Sequence, residues 1–273
     1  MDIEQYTRLW SEGKVANPSG ASFWDNRADE FNKLVSRGTP DQRIGKIVEF
    51  MFSNNLLSKD SSVLDIGCGP GGFAVEFAKI SREVTGLDIS AKMLDYAQKN
   101  AAVANLPNVS FKNLNWDEVN LEEYGWEKRF DLVAAINSPG IHDQITLEKM
   151  IAASRGYCFL SNFVDRSDSV QDIIRTEVLQ IKDPKFYVNT VYCIFNILWL
   201  IGYYPYITYV DTDREHVRSL EEACIYYGTL FEAVNNSDDQ KYILIRNYLE
   251  KISQNGFVHE RVRTKTAWIY WKA

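Results

Sequence analysis

The segment 63–72, Val-Leu-Asp-Ile-Gly-Cys-Gly-Pro-Gly-Gly, constrains this chain more than any other. An apolar run broken by one acid leads into a glycine cluster, and a helical pattern with Phe73, Val75, Phe77 and Ala78 follows at once. Glycines belong where backbone must touch a ligand or where φ must be free. A helix starting directly behind them aims unpaired N–H groups at that ligand.

The acid decides between ligands. A dinucleotide site carries the fingerprint G-x-G-x-x-G with a later acid, but Asp65 stands two residues before Gly67, where its carboxylate would repel a pyrophosphate. A cofactor with an amino group and a positive sulfonium gains from the same charge, which points to S-adenosylmethionine. Residues 84–88, Val-Thr-Gly-Leu-Asp, read as a second strand ending in Asp88, where a carboxylate can accept from both ribose hydroxyls. Ile89 follows, and Ser90 has the position of an N-cap for a helix containing Met93, Leu94 and Ala97. Met93 suits an adenine neighbour and a core methionine equally well. Residues 109–111 form a third short strand with Asn115 and Trp116 just beyond it, and 130–136 a fourth that ends in Asn137. Each candidate contact lies at the carboxyl end of a strand, where open α/β sheets bind ligands.

With these residues in place, the segment 63–164 resembles the core of the class I S-adenosylmethionine-dependent methyltransferases. The resemblance implies that Asp65, Gly67, Cys68, Gly69 and Gly71, the D-x-G-x-G-x-G motif, cradle the amino acid end of the cofactor, and that Asp88 and Ile89 meet the ribose. Asn115 and Trp116 stand where the family often has Asp and an apolar residue against adenine; an Asn carbonyl can still accept from the adenine amino group. The fourth strand of this family ends near the transferring methyl, which makes Asn137 a candidate to orient the acceptor. Residues 137–140 are loosely similar to the Asn/Asp-Pro-Pro-Tyr motif of amino-group methyltransferases, with Ser138 for the first proline and Gly140 for the aromatic residue. Residues 22–28, Ser-Phe-Trp-Asp-Asn-Arg-Ala, resemble the helical lead-in of small-molecule methyltransferases. The implied fold is α/β: a Rossmann-like, seven-stranded, mostly parallel sheet with helices on both faces and an antiparallel last strand. S-adenosylhomocysteine would be the product.

The remaining pattern divides into an N-terminal helical lid segment, 1–60, and a cofactor-binding domain, 61–273, with an insertion at about 184–204. Alternating strands and helices imply a parallel sheet covered on both faces. The fifth strand is expected at 156–164, the sixth at 206–210 and the seventh at 266–271. Ser219 and Glu222 form a capping box opening a helix through Phe231, and a second helix through Tyr242, Ile245 and Leu249 is stopped by Asn255 and Gly256.

A formal charge of −7 opposes a nucleic-acid partner, which wants a basic face. Cys68, Cys158, Cys193 and Cys224 lack C-x-x-C spacing and fit reduced thiols in a cytoplasmic protein. The acidic N-terminus has no apolar signal-peptide core. The stretch 188–204 approaches the length of a membrane span, but Asn189, Thr190 and Asn196 interrupt it, so a buried helix or a homodimer surface is expected and no membrane partner. Neither His142, His216 nor His259 has metal-ligand spacing, and no metal is expected. His142 is the candidate general base, with a loop histidine beside Asp143 at a helix start as the alternative. Trp24, Arg27 and Tyr187, in aromatic-rich segments, are candidate acceptor contacts, with ordinary packing as the competing role. Methyl transfer to a small molecule leads; a protein or RNA acceptor, or cofactor binding without turnover, are the alternatives.

Overall fold

The computed structural model describes residues 2–12, 20–35, 42–181, 187–233 and 239–273, without the side chains of residues 42, 187 and 188. Helices α1 (Ile3–Glu12), α2 (Ala21–Val35) and α3 (Gln42–Ser53) precede β1 (Ser62–Ile66). There follow α4 (Gly72–Ala78), β2 (Glu83–Asp88), α5 (Ala91–Val103), β3 (Val109–Asn113), a 3₁₀ turn (Trp116–Glu118), α6 (Leu121–Tyr124), β4 (Phe130–Ile136), α7 (Gln144–Ala153) and β5 (Ser154–Asp168). Helix α8 (Gln171–Ile173) runs into a π turn (Ile174–Val178), and α9 (Tyr187–Leu200), β6 (Tyr206–Ser219), α10 (Leu220–Leu230), α11 (Gln240–Ile252) and β7 (Phe257–Lys272) complete the chain.

Among the described residues the strands form one seven-stranded sheet in the order β3-β2-β1-β4-β5-β7-β6, with the last strand antiparallel. β1 pairs in parallel with β2 on one side and β4 on the other, Asp65 lying opposite Gly86 and Ala134. All five residues of β1 are buried, as a central strand covered on both faces requires. Chain order reverses across β1, so the switch point of the sheet lies at the end of that strand, beside the glycine loop.

A charged clamp fixes the opposite ends of the three central strands. Asp131 Oδ2 accepts from the Ser62 N–H (2.8 Å) and hydroxyl (2.9 Å), while Arg155 donates to both Asp131 oxygens at 2.8 and 2.9 Å. The Arg155 guanidinium holds the Asp131 carboxyl well below the usual carboxylate range.

The chain divides into two compact units. The first holds Met1–Asn162, Asn189–Thr208 and Ala267–Ala273, with Leu64, Ile66, Phe77, Leu132, Phe159 and Trp271 in its core. The second holds Phe163–Val188 and Tyr209–Thr266; Val170, Ile174, Tyr227, Ile245, Leu249 and Val258 are buried in it. Strands five to seven are longer than their apolar patterns indicate, because their outer parts lie in the second unit. There Asp213 pairs with Arg261 (2.7 Å) and Arg263 (3.3 Å), Asp211 with Lys265 (2.7 Å), and Glu260 with Arg218.

The apolar stretch after β5 becomes α9, whose Cys193, Ile194, Ile197 and Leu198 are buried. It belongs to the first unit from Asn189 onward, and residues 184–186 of the expected insertion lie outside the described residues. Among the described residues no helix is long and apolar enough to cross a membrane.

Replacing Asp131 with Ala removes the acceptor of two Ser62 hydrogen bonds and of Arg155, and should cost about 2–3 kcal/mol in urea unfolding. Arg155→Ala, which deletes only the half-exposed pair, should cost about 1 kcal/mol or less.

Candidate cofactor site

The site is built from the carboxyl ends of β1, β2 and β4, all within the first unit. The Leu87 carbonyl accepts from Gly67 N–H (2.8 Å) and Cys68 N–H (2.9 Å), so the loop leaves β1 tied to β2. Gly67, Gly69 and Gly71 have φ of 70°, 53° and 82°, which is the left-handed region that favours glycine. Two of them also admit no side chain for lack of room. A Cβ at Gly67 would lie 2.1 Å from Ser138 Oγ, and one at Gly71 would lie 2.9 Å from Ala97 Cβ. At Gly69 a Cβ would meet nothing within 4 Å, so the space in front of that residue is open.

Asp88 closes the loop. Its Oδ2 accepts from the Gly69 N–H and its Oδ1 from the Ser90 N–H, each at 2.9 Å. Burial raises the Asp88 pKa and the two N–H donors oppose that rise. Ser90 caps α5 as its spacing predicts, its hydroxyl accepting from the Met93 N–H at 3.0 Å. Met93 is buried in the first turn of α5 and Ile89 lies between Asp88 and the cap.

Asp65 is 2% exposed, and nothing among the described residues hydrogen-bonds to its Oδ2. Burial, with the Asp88 carboxylate nearby, pushes the Asp65 carboxyl up to about 7. A buried carboxyl oxygen without a partner is costly unless a ligand completes it. Burial also raises the Cys68 thiol well above its ordinary range, which opposes a nucleophilic role.

The residues after β3 and β4 are held by hydrogen bonds of their own. Asn115 Oδ1 accepts from the Asp117 N–H (3.2 Å) and caps the 3₁₀ turn, and its amide donates to Glu118 (3.2 Å). The side chain assigned to an adenine amino group is thus engaged in local turn structure. Trp116, assigned to the adenine ring, is 2% exposed and its indole donates to the Thr146 carbonyl of α7 at 3.2 Å. Its partner is remote in sequence, so no local pattern could reveal this packing.

Asn137 has φ 49°; its N–H donates to the Ser161 carbonyl (2.8 Å) and its Oδ1 accepts from the Ser161 hydroxyl (3.3 Å). Ser138, noted in the sequence only as the residue in place of the motif's first proline, is buried against Gly67. His142 lies 3.2 Å from the Pro139 carbonyl through Nδ1 and 3.6 Å from both Asp117 and Asp143 through Nε2. Asp143, not His142, caps α7 in a box with Thr146. Arg27 is paired with Glu30 at 3.4 Å, and the rings of Phe23, Trp24 and Phe31 lie 5.0–5.9 Å from its guanidinium. Its charge is thus paired within α2. The Tyr187 side chain lies outside the described residues. Among the described residues no group of three His, Cys, Asp or Glu side chains could hold a metal ion.

A parallel sheet with a glycine loop and acids at two adjacent strand ends defines a nucleotide-type cofactor site. A family model described as a methyltransferase domain matches residues 57–247, well over half of the chain. The chain belongs to that methyltransferase-domain family. A ubiquinone biosynthesis O-methyltransferase of Albidiferax ferrireducens is 34% identical over 74 residues, 27% of this chain and 28% of that protein. A 23S rRNA (uracil(1939)-C(5))-methyltransferase of Vibrio campbellii is 32% identical over 150 residues, 53% of this chain and 31% of that protein. The chain thus matches less than a third of the length of each of these curated relatives. The structure of an S-adenosylmethionine-dependent methyltransferase from Thiobacillus denitrificans, in complex with S-adenosyl-L-homocysteine, superposes with a TM-score of 0.51 at 12% identity. That match covers 89% of this chain and 96% of the other, and it is a likeness of fold.

S-adenosylmethionine fits the residues present: Asp65 offers an unpaired buried oxygen to an amino group, and the open face of Gly69 admits a ligand against backbone. An acid whose folded pKa is raised from 3.8 to about 7 keeps its proton while the unfolded chain loses it. Asp65 therefore lowers the stability of the free protein progressively as pH rises from about 4 to about 7, and by a constant amount above that. Asp65→Asn should raise the melting temperature of the ligand-free protein at pH 8 by at least ~2 °C, with the gain vanishing toward pH 4. In calorimetric titrations with S-adenosylhomocysteine, wild-type affinity should increase from pH 6 to pH 7.5, and the Asn variant should lose that dependence.

Proposed function

We propose that this protein transfers a methyl group from S-adenosylmethionine to a small-molecule acceptor and releases S-adenosylhomocysteine. The observation that carries this reading is the buried, unpartnered Asp65 oxygen beside the open Gly69 loop, in a chain of the methyltransferase-domain family. Bound S-adenosylmethionine supplies an electrophilic methyl on a sulfonium, so the protein has mainly to align the acceptor and exclude water.

Each residue then has a limited task. Asp65 attracts the amino group of the cofactor, the glycine loop lies against its amino acid end, and Asp88 keeps acceptor capacity for ribose hydroxyls. Asn137, held at the end of β4 by Ser161, orients the acceptor. His142 is the residue to take a proton when the acceptor arrives protonated.

The small-molecule reading draws support from the formal charge of −7, which disfavours a polyanionic acceptor, and from the likeness to a ubiquinone biosynthesis O-methyltransferase. The edge-to-face pair of Tyr6 and Tyr192, with ring centroids 5.6 Å apart, puts aromatic surface on α1 and α9. RNA methylation is the second reading, favoured by the likeness to the ribosomal RNA enzyme.

Incubation of the purified protein with methyl-tritiated S-adenosylmethionine and a fractionated cell extract tests these readings. Label is expected in a small metabolite; label confined to RNA or protein overturns the small-molecule assignment, and absence of transfer despite saturable binding overturns the enzymatic one. Gly69→Asp should abolish S-adenosylhomocysteine binding in calorimetry while the circular dichroism spectrum stays that of the folded protein; the melting temperature should fall modestly, because a side chain at φ 53° is strained. Its Cβ would meet no protein atom within 4 Å, and the carboxylate beyond it would enter the open face of the loop.

A further inference from the structure

Helix α2 carries a polar stripe, Asp25, Asp29 and Asn32, at the spacing of one helix face. That stripe lies along α5. Asp25 Oδ1 accepts from the Ser90 hydroxyl at 2.6 Å and from the Lys92 N–H at 3.3 Å. Asp29 accepts from Lys92 Nζ (3.0 Å) and from the Tyr96 hydroxyl (2.6 Å), and Asn32 accepts from Asn100 Nδ2 (3.0 Å).

Only some of these contacts lead to the cofactor loops. Ser90 is fully buried; its hydroxyl gives its single hydrogen to Asp25 and takes the Met93 N–H, while its own N–H donates to Asp88. Asp88 in turn holds the Gly69 N–H. The chain of bonds Asp25–Ser90–Asp88–Gly69 thus runs from α2 to the floor of the site. The Asp29 contacts, at side chains that are 59% and 44% exposed for the Asp29–Lys92 pair, end on α5.

We infer that Asp25 is a positioning residue for the cofactor site: by fixing the Ser90 hydroxyl it fixes the peptide that holds Asp88, and through Asp88 the glycine loop. A hydroxyl rotates to suit its partners, so the acceptor it finds decides which way its lone pairs face. With Asp25 as acceptor, in a short charge-assisted bond, the lone pairs face the Met93 N–H and the first turn of α5 is held. The N-terminal helix is then part of the donor-binding machinery although none of its residues need touch the donor. This inference rests on the reading of the site as the S-adenosylmethionine site.

The role is one of hydrogen bonding, not of charge. Asp25 raises the pKa of Asp88, so its charge alone works against an ionised ribose acceptor. Asn at position 25 keeps the accepting oxygen and drops the charge, and should therefore serve.

The test is calorimetric titration of S-adenosylhomocysteine into the wild type and the variants Asp25→Ala, Asp25→Asn, Asp29→Ala and Asp88→Ala. Asp25→Ala should weaken binding about tenfold, the equivalent of one lost charge-assisted hydrogen bond. Asp25→Asn should bind within about threefold of wild type, and Asp29→Ala within about twofold, although it deletes two contacts between the same helices. Amide hydrogen exchange at Ser90 and Gly69 in the free protein should quicken in Asp25→Ala and not in Asp29→Ala. In a Ser90→Ala background, Asp25→Ala should add far less than the tenfold loss of the single variant, since only the longer Lys92 N–H contact is left to lose; Asp25→Asn keeps the inference testable where Asp25→Ala folds poorly.

Unchanged affinity in Asp25→Ala overturns the inference. So does an equal loss in Asp29→Ala, since attachment of α2 in general would then be what matters. A wild type that does not bind, or an Asp88→Ala variant that binds like wild type, overturns the reading of the site itself. Binding lost in Asp88→Ala but kept in Asp25→Ala overturns only the role of Asp25.

Discussion

Asp88 accepts one backbone N–H from each of two separate chain segments, Gly69 in the glycine loop and Ser90 at the entrance to α5. The loop between β1 and α4 contains three glycines with positive φ; the Leu87 carbonyl and Asn100 hold it on either side of Gly69, and Asp88 holds the Gly69 N–H itself, where a Cβ would meet nothing within 4 Å. A carboxylate with two fixed donors offsets much of its own burial, and the pair of amides it holds brings loop and helix into register. The same residue stands at the end of β2 next to the switch point of the sheet, so fold and site share this one support.

Around that support the electrostatics are unbalanced in one direction. Asp65 and Asp88 are both buried, each pushed up by burial, and Asp65 is pushed further by the charge of its neighbour. Two acids in one desolvated neighbourhood, one of them short of a hydrogen-bond partner, are poorly arranged for the free protein and well arranged for a cationic guest. At the other ends of the strands, Asp131 is matched by Arg155 and by two Ser62 donors, and its acidity is moved the opposite way. The contrast separates a carboxylate that binds the sheet together from one that waits for a ligand.

What the sequence made legible follows from how local each feature is. The strand, loop and helix from Ser62 to Ala78, the acid ending β2, the Ser90 cap and the capping box at Ser219 are each set by residues within a few positions of one another. The outer halves of β6 and β7 were not legible, since Asp211, Asp213, Glu215, Arg261, Arg263 and Lys265 carry no apolar face. Their strand form is visible only once acids on one strand find bases on the other. The packing of Trp116 was hidden for a related reason: its spacing after β3 marks the cleft, but its indole partner, the Thr146 carbonyl on α7, is remote in sequence. The polar stripe of α2 was not legible, because Asp25 gains meaning only from Ser90, far along the chain.

The state of Asp65 has a consequence for how site occupancy responds to its surroundings. In the free protein its carboxyl keeps a proton up to about pH 7, and an ammonium group arriving beside it favours the ionised form. Filling the site near neutrality therefore expels a proton into the solvent. Occupancy and acidity become reciprocal: a fall in pH empties the site, and the heat released on filling it changes with the ionisation enthalpy of whatever buffer takes up the proton.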